Sequence, residues 1–407
     1  MQLTVRNKSK KWIGWVVFAL FLLAGLGAVA WVYYHPRGGD SQVQSTETPK
    51  QPEPVAVTSN SLFFGNAYFG RYINDWSMAS DLKYAYPFSR LNEFKRDEYN
   101  AWVAGLECPT VAGVTLTSAE EDETLSFNCD PGYLPEAAKW FTAFTMANNH
   151  TDNQGAEGFM ETRKHLDENG IQYFGNYDPT VEADVCEVVS WPVTVTYDDK
   201  SEKPGTLPIA LCALHGVFQI PPEESIAIIE RYAQYMPVIA MPHMGVEYQA
   251  APDELKTSVY RSLIDHGADM VLGDHPHWIQ TTEAYNGRLI VYSMGNFLFD
   301  QQDTAEVVRS AAIRVVMQTG DTSKGELKEW LAIGDSCKRF QDDCLAQVQI
   351  DNLTKLPFTY QFGAIGTNDS QKIVKPATEE QQASILQRLK WETTMAELEA
   401  PYSELTE

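Results

Sequence analysis

Residues 140–170 read WFTAFTMANNHTDNQGAEGFMETRKHLDENG, and they indicate the fold class because a polar cluster joins a strand-like run to a helix-like one. The aromatic and β-branched run WFTAFTM is typical of a strand. The stretch after the cluster has the apolar spacing of an amphipathic helix and closes at Gly170. Residues 148–152, NNHTD, therefore lie where a strand gives way to a helix, and open α/β sheets bind ligands at that position.

Strand-like and helix-like stretches alternate along the chain from residue 61. Strands are predicted at SLFFGNAYF, YNAWVAGL, IQYFG, LPIALCALHGVF, PVIAMPHMGVEY, ADMVLGDHPH, RLIVYSMGNFLF and SAAIRVVMQ. Further helices are predicted at PPEESIAIIERYAQYM, PDELKTSVYRSLIDHG and the C-terminal ATEEQQASILQRLKWETTMAELEA. This alternation predicts an α/β fold with a substantial sheet.

The N-terminal region differs from the rest of the chain. An uncharged apolar run, residues 12–34, follows a basic segment and is long enough to cross a bilayer, for which about 20 residues suffice. We predict a single transmembrane helix at 12–34 with residues 1–11 in the cytoplasm, because basic residues favour that side. A cleaved signal peptide is the alternative, since the Ala-Val-Ala at 28–30 resembles a cleavage site.

The remaining boundaries follow from composition. Residues 35–60 are rich in Pro, Ser, Gln and Thr and are predicted to form a flexible linker. The main domain is predicted at 61–375, outside the cytoplasm, and a C-terminal helix and tail at 376–407. The net charge of −24 argues against nucleic acid as a partner, since such a surface repels polyanions.

Six cysteines, an even number in a compartment predicted to be oxidising, indicate disulfides. Cys337 and Cys344 are the expected pair because they close a short polar loop. Buried free thiols are the alternative.

Histidine placement is the most informative feature of the main domain. His150, His243, His275 and His277 all fall in polar stretches that follow apolar strands. A single histidine of this kind is more often a hydrogen-bonded or exposed side chain than a ligand. Four in equivalent positions are expected to converge, because the carboxyl ends of parallel strands share one edge of a sheet.

Their neighbours suit a metal site. Glu247 follows His243 by four residues, Asn149 adds an amide oxygen, and Glu107 follows another apolar stretch. Mixed His, Asn and carboxylate ligands suit Zn²⁺, Mn²⁺ or Fe, and the lack of a thiolate argues against a structural zinc site. Taken alone, the HPH segment reads as a tight turn with exposed rings and Glu107 as a solvated loop carboxylate.

The ordered motifs ANNHTDNQG, HMGVE, GDHPH and YSMGNFLF, preceded by FFGNAYFGR and GLE, resemble the CapA-type poly-γ-glutamate capsule biosynthesis family. This family is a branch of the calcineurin-like metallophosphoesterase superfamily, and the resemblance spans residues 62–299. It implies a metallophosphoesterase-like αββα sandwich with one or two divalent ions, Mn, Fe or Zn, at the sheet edge. It also implies a bacterial cell-membrane protein that handles poly-γ-glutamate or another anionic envelope substrate beside membrane-bound capsule synthesis partners.

The resemblance assigns roles to individual residues. The implied metal ligands are Glu107, Asn149, His243, His275, His277 and, at the position of the family's aspartate, Asn66. Because Asn66 lacks that carboxylate, a second ion should bind more weakly. His150 is the implied acid that protonates a leaving group. A second departure from the family places Gly105 where its motif has asparagine.

Three further side chains have two interpretations each. Asp152 either orients His150 or caps the following helix. Arg71 either clamps an anionic substrate or forms a salt bridge. Glu247 is predicted to lie at the substrate side of the site, with metal binding as its other possible contribution.

Two function classes follow. The first is a membrane-anchored, metal-dependent phosphoesterase-like hydrolase, in which the metal assists attack on a phosphoester. The second is a non-catalytic component that exports or anchors the anionic polymer, with bound cations as the bridge between polymer and acidic surface. A peptidase is a weaker third possibility, since no nucleophile motif is visible.

Overall fold

Strand β1 (Pro54–Ala67) organises the fold in the computed structural model, which describes residues 51–319, 324–334 and 341–405. Its first half pairs antiparallel with two long strands, and its second half pairs parallel with two short ones. One strand therefore contributes to two sheet regions, and its C-terminal residues are buried without interruption, as expected of a strand covered on both faces.

The other strands follow in chain order. They are β2 (Ala101–Leu106), β3 (Ala143–Thr145), β4 (Gln172–Phe174), β5 (Cys186–Tyr197), β6 (Glu202–Cys212), β7 (Val238–Ala240), β8 (Met270–Leu272), β9 (Thr282–Tyr285), β10 (Arg288–Val291), β11 (Asn296–Leu298), β12 (Arg309–Thr319), β13 (Phe358–Asn368), β14 (Lys375–Pro376) and β15 (Tyr402–Glu404).

The helices are also numbered in chain order. They are α1 (Arg71–Ala79), α2 (Ser118–Thr124), α3 (Leu134–Ala137), α4 (Gly155–Glu168), α5 (Glu182–Val185), α6 (Glu223–Ala233), α7 (Glu254–Asp265), α8 (Lys324–Ile333), α9 (Gln341–Ile350), α10 (Glu379–Leu389) and α11 (Trp391–Ala396). Short 3₁₀ helices span Lys83–Phe88, Leu91–Phe94, Arg96–Glu98 and Pro131–Tyr133.

The hydrogen-bonded order of strands is β14-β13-β12-β1-β5-β6-β7-β8-β10-β9, with β2, β3 and β4 continuing from the second half of β1. Strands β1 to β4 are parallel neighbours, and so are β6, β7, β8 and β10. The α/β fold class predicted from the sequence is therefore confirmed as a mixed α/β sheet fold. Two sets of parallel strands end at the polar loops that contain the motifs.

Side-chain alternation divides the core into two apolar clusters. On β2, Ala101 and Val103 pack in the larger cluster, whereas Trp102 and Ala104 pack in a smaller one rich in aromatic rings. This is the two-residue period of a strand with both faces buried. Full burial of each large apolar side chain stabilises the fold by roughly 1.5–3 kcal/mol.

Two disulfides lie within the described residues. Cys108 is joined to Cys129, and Cys186 to Cys212, which are directly opposite on β5 and β6. The expected pairing of Cys337 with Cys344 involves Cys337, which lies outside the described residues.

The predicted linker 35–60 extends too far. Strand β1 begins at Pro54, and its first residues pair with β5, as in the register of Val57 with Val195. The alternating run that starts this strand was obscured by the proline and acidic residues just before it. The described residues from Pro52 onward belong to one compact unit, so a domain cut at residue 61 would remove half of a central strand.

The predicted C-terminal helix and tail, 376–407, is also divided differently. Lys390 adopts a left-handed backbone conformation, with φ of 55°, and separates α10 from α11. Strand β15 then pairs in parallel with β13, so the end of the chain is part of the sheet.

The predicted transmembrane segment, 12–34, lies outside the described residues. Within the part of the chain that the structure describes, no helix has both the length and the apolar character needed to span a membrane.

Candidate functional site

The carboxyl ends of the parallel strands bring the predicted site residues to one edge of the sheet. Isolated bridges extend the alignment of β6, β7 and β8 into their loops, so that His215, His243 and Asp274 lie side by side. The residues gathered here are Asn66, Glu107, Asn148, Asn149, His150, His215, His243, Asp274, His275 and His277.

His243 is the most highly connected side chain of the site and is fully buried. Its Nδ1 lies 2.7 Å from Asp274 Oδ1, and its Nε2 lies 2.8 Å from Asn149 Oδ1. His275 Nδ1 is 3.2 Å from the same Nε2. Two other predicted ligands, Asn149 and His275, therefore contact His243 at the same nitrogen.

His277 forms a second group of contacts with Asn66, Glu107 and Asn296, which together form the floor of the site. Its Nδ1 lies 2.8 Å from Asn296 Oδ1 and 3.2 Å from Asn66 Nδ2. Its Nε2 lies 3.8 Å from Glu107 Oε1 and 3.9 Å from Glu247 Oε1. Glu247 is half-exposed, which places it at the mouth of the site.

The two histidines of the HPH turn have strained backbone conformations. His275 and His277 have φ of 88° and 60°, a left-handed region that residues with a side chain seldom adopt. Such strain is maintained only where surrounding structure compensates for it, and it is concentrated at functional sites. The two imidazoles project into the site instead of being exposed as in a simple surface turn.

His150 stands beside this cluster and remains partly exposed. Its Nδ1 lies 2.9 Å from Asn153 Oδ1, and its ring packs on Phe127 with 4.1 Å between centroids. The residue that fixes the ring is therefore Asn153, not Asp152. Helix α4 begins at Gly155 with Gln154 at its cap, so Asp152 does not cap it either.

Several buried polar atoms of the site lack a hydrogen-bond partner within the described residues. They are Asn66 Oδ1, both carboxylate oxygens of Glu107, His215 Nε2 and Asp274 Oδ2. An unpaired buried polar atom is costly, by about 1–3 kcal/mol. Oxygen and imidazole nitrogen atoms left unpaired at one sheet edge are the donor atoms that a divalent cation takes.

Burial also sets the protonation states. It lowers the pKa of His277 to about 4 and the pKa of His243 and His275 well below the usual value, in the latter two with help from neighbouring histidines. Neutral imidazole is the form that binds metals. Burial raises the pKa of Glu107 well above its usual range, with the Asp274 charge as the next cause.

The donor spacing fits an ion on the His243 side. Ligands about 2.1 Å from one ion in octahedral geometry lie about 3 Å apart, close to the 2.8 and 3.2 Å separations around His243 Nε2. Among the described residues, no three His, Cys, Asp or Glu side chains already surround a common ion position. The fit therefore depends on amide oxygens such as that of Asn149.

Arg71 forms ion pairs with two carboxylates, Asp300 and Asp122. Its Nε and Nη2 contact Asp300 at 2.7 and 2.6 Å, and its Nη1 contacts Asp122 at 3.1 Å. The guanidinium thus has the salt-bridge arrangement, which was one of the two interpretations of this residue.

The sequence interpretation missed four contributors. His215 follows β6 as the other histidines follow their strands, but the apolar residues on both sides of it favour including it in the strand LPIALCALHGVF. Asp274 stands inside the GDHPH motif directly before the two histidines, but the motif alone assigns it no role. Asn153 and Asn296 make side-chain contacts that local spacing does not reveal.

A sequence-family profile described as Bacterial capsule synthesis protein PGA_cap matches residues 61–301, more than half of the chain. The chain belongs to this family. The match contains all the motifs that form the site, so the CapA-type resemblance noted from the motifs is confirmed.

Two relatives are capsule proteins by name. The PGA biosynthesis protein CapA of Bacillus subtilis (strain 168) is 27% identical over 266 residues, which cover 63% of this chain and 67% of that protein. The capsule biosynthesis protein CapA of Bacillus anthracis is 29% identical over 178 residues, covering 40% and 41%. The crystal structure of TT1561 of Thermus thermophilus matches 63% of this chain and 93% of its own, with 10% identity and a TM-score of 0.36.

Proposed function

We propose that this CapA-family protein is a membrane-anchored, extracytoplasmic component of poly-γ-glutamate capsule biosynthesis with a divalent-metal-dependent phosphoesterase site. The observation that supports it best is the convergence of histidines, carboxylates and amides that leaves unpaired buried donor atoms at one sheet edge. The associated fold is a metallophosphoesterase-like αββα sandwich, and the proposed anchor is the apolar run 12–34.

The chain offers a ligand set in two parts. Asn149, His243 and His275 would hold an ion on one side, and Glu107 with His277 would contribute on the other, beside the neutral Asn66. Mn, Fe and Zn all accept such mixed nitrogen and oxygen ligands. When bound, the ion supplies Lewis acidity that polarises a phosphoryl oxygen and stabilises developing negative charge.

His150 is the proposed proton donor to the leaving oxygen, and Asn153 holds its ring. Burial lowers the pKa of His150 to about 4 in the substrate-free protein. An anionic phosphoester bound beside the ring favours the imidazolium and raises that pKa toward the working range of a proton donor. Glu247, at the mouth of the site and 3.9 Å from His277, disfavours further negative charge there.

The acidic chain and an anionic polymer repel each other, so cations are needed where they meet. The ion proposed at the sheet edge is the strongest positive charge available there. Poly-γ-glutamate, handled beside membrane-bound capsule synthesis partners, is the proposed polymer, but it contains no phosphoester. The proposed hydrolysis therefore acts on another anionic envelope substrate that carries a phosphoester.

Elemental analysis of the purified full-length chain tests the site. The wild type should retain close to one equivalent of Mn, Fe or Zn after reloading, and a His243→Ala, His275→Ala double variant should lose it. A His266→Ala variant removes a histidine that bonds to Ser262 at the end of α7 and should keep the metal. No metal in the wild type, or equal metal in all three proteins, would contradict the proposal.

A non-catalytic role in exporting or anchoring the polymer is the second candidate, and Asn66 is the observation that favours it. This amide replaces the family's carboxylate and uses its Nδ2 to contact His277 Nδ1 at 3.2 Å. Complementation separates the two roles. A His150→Ala protein that restores full surface polymer in a strain lacking the wild-type chain would support anchoring, and failure to restore it would support catalysis.

A further inference from the structure

We propose that Asp274 is a positioning residue of the metal site, which turns the Nε2 lone pair of His243 toward the ion and supplies the buried negative charge that Asn66 lacks. The inference rests on the metal site of the proposed function. Asp274 belongs to neither the predicted ligand set nor the predicted catalytic pair.

The contact between Asp274 and His243 is short and buried. Oδ1 lies 2.7 Å from His243 Nδ1, and the two side chains are 2% and 1% exposed. An ionised carboxylate accepts only, so the proton of this contact lies on Nδ1 whenever Asp274 carries its charge. Asn148 Nδ2, at 3.3 Å from the same nitrogen, is the more distant neighbour and does not compete.

A proton fixed on Nδ1 leaves Nε2 as the nitrogen that can bind a metal. His243 Nε2 is left with its lone pair, and it points to the place where Asn149 Oδ1 and His275 Nδ1 also converge, at 2.8 and 3.2 Å. A carboxylate that accepts from the far nitrogen of a ligating histidine fixes its tautomer and increases its basicity as a ligand.

Gly105 makes room for this carboxylate. A Cβ at position 105 would lie 2.2 Å from Asp274 Oδ2 and 3.4 Å from its Cγ. A side chain at 105 and the present position of Asp274 are therefore mutually exclusive. The glycine that departs from the family motif therefore leaves the space that the carboxylate of Asp274, in GDHPH, occupies.

The carboxylate also enters the floor of the site at the level of Asn66. Gly105 is the register partner of Asn66 between β2 and β1, and Asp274 Oδ2 lies against Gly105. This oxygen is buried and has no hydrogen-bond partner within the described residues. A cation nearby would stabilise it, and an ionised Asp274 would place a negative charge beside Asn66 from the loop after β8.

The first test reads the tautomer of His243 in the metal-free, full-length protein labelled with ¹⁵N-histidine. The His243 signals are assigned by their loss in His243→Gln. We expect Nδ1–H in the wild type and a shift toward Nε2–H in Asp274→Ala. Retention of the Nδ1–H tautomer in Asp274→Ala would overturn the positioning role, and a merely structural role for Asp274 would not move the tautomer.

The second test measures Mn²⁺ affinity by electron paramagnetic resonance on the same full-length proteins. Asp274→Asn keeps the shape and removes the charge, and should weaken binding by about 10- to 100-fold. Gly105→Ala should weaken it in the same direction, because its Cβ displaces the carboxylate. The double variant Asn66→Asp, Asp274→Asn should recover part of the loss.

Asp269→Asn is the matched control. Asp269 is a buried carboxylate at the opposite end of β8, where it accepts from the Val238 amide at 2.8 Å. It should affect stability but not Mn²⁺ affinity. Wild-type affinity in Asp274→Asn would overturn the charge role. If the wild type itself binds no Mn²⁺, the proposed function fails, while the tautomer measurement still decides whether Asp274 orients His243.

Discussion

Arg71 and Asp300 form a doubly hydrogen-bonded ion pair in which both side chains are buried, 7% and 1% exposed. The guanidinium also lies 4.9 Å from the centroid of Phe127, the ring that packs on His150. Arg71 itself has φ of 44°, a backbone conformation that the pair helps to hold. A residue expected to bind substrate or form a salt bridge therefore connects the start of α1 to the loop after β11.

Arg71→Ala should lower the free energy of unfolding by about 3–5 kcal/mol, because it leaves the Asp300 carboxylate buried without its charged partner. Urea denaturation of the full-length protein measures the change. Arg90→Ala is the control, because Arg90 and Glu93 make the same two-bond pair on the surface, where screening by water leaves little to lose. Equal effects of the two variants would contradict a structural role for Arg71.

His150→Ala should lower phosphoesterase kcat by about 10²- to 10⁴-fold for esters with poor leaving groups, and less for p-nitrophenyl esters, whose departing oxygen needs no proton. Kinetics on a series of aryl phosphates with graded leaving groups measures this. A uniform loss across the series would show that the residue acts in some way other than as a proton donor.

Variants of Asn153 and Asp152 test which neighbour holds the ring of His150. Asn153→Ala removes the 2.9 Å contact to its ring and should produce a smaller loss with the same leaving-group trend. Asp152→Ala should cost less than Asn153→Ala, since Asn153 is the residue that contacts the ring. The reverse order would restore the alternative in which Asp152 orients the imidazole.

The carboxyl ends of parallel strands share one edge of a sheet, and this rule predicted which side chains would meet. It could be applied because apolar runs followed by polar clusters are visible in the local sequence. It brought His150, His243 and the HPH histidines to one edge of the sheet. It did not predict side-chain direction, so Asp152 was chosen over its neighbour Asn153. Asp274 was missed because its significance depends on the space above Gly105, which lies on another strand.

The fold shows the same division between local and long-range information. The α/β class follows from periodicity, but the start of β1 at Pro54 depends on pairing with β5, a strand more than a hundred residues away. The break at Lys390 and the pairing of β15 with β13 also depend on distant partners. Local composition there resembles a linker and a continuous helix, so the sequence alone favoured the wrong boundaries.

Lys256 should make stability depend on pH in the alkaline range. This fully buried lysine has its pKa lowered by burial to about 7, against 10.5 ordinarily. Between these values the unfolded chain binds more protons than the native protein, so the free energy of unfolding rises with pH, by at most about 1.4 kcal/mol per pH unit. The contribution is complete above 10.5 and is lost as pH falls through 7.

Lys256→Met removes this titration. The variant should be more stable than the wild type at pH 7, and the difference should shrink as pH approaches 10, as measured by urea denaturation at a series of pH values. Lys164→Met, at an exposed position, should track the wild type throughout. A wild-type profile as flat as that of Lys256→Met would mean that Lys256 stays charged in the folded protein.

The disulfides Cys108–Cys129 and Cys186–Cys212 close loops of similar length, with sequence separations of 21 and 26. Chain entropy therefore predicts similar stabilisation, about 3 kcal/mol each. Their surroundings differ, because Cys108 is adjacent to Glu107, and Cys129 Sγ accepts from the Phe69 amide at 3.1 Å. The first bridge supports the loop that carries a predicted ligand, and the second joins two neighbouring strands.

Replacing each pair by alanine should lower the free energy of unfolding by comparable amounts, but only the Cys108→Ala, Cys129→Ala protein should also bind Mn²⁺ more weakly. The comparison isolates the loop, because the Cys186→Ala, Cys212→Ala protein is matched in loop length and in the number of thiols removed. Denaturation and metal titration on the same preparations give both quantities. Equal loss of Mn²⁺ affinity in the two variants would mean that global stability, not the position of Glu107, controls binding.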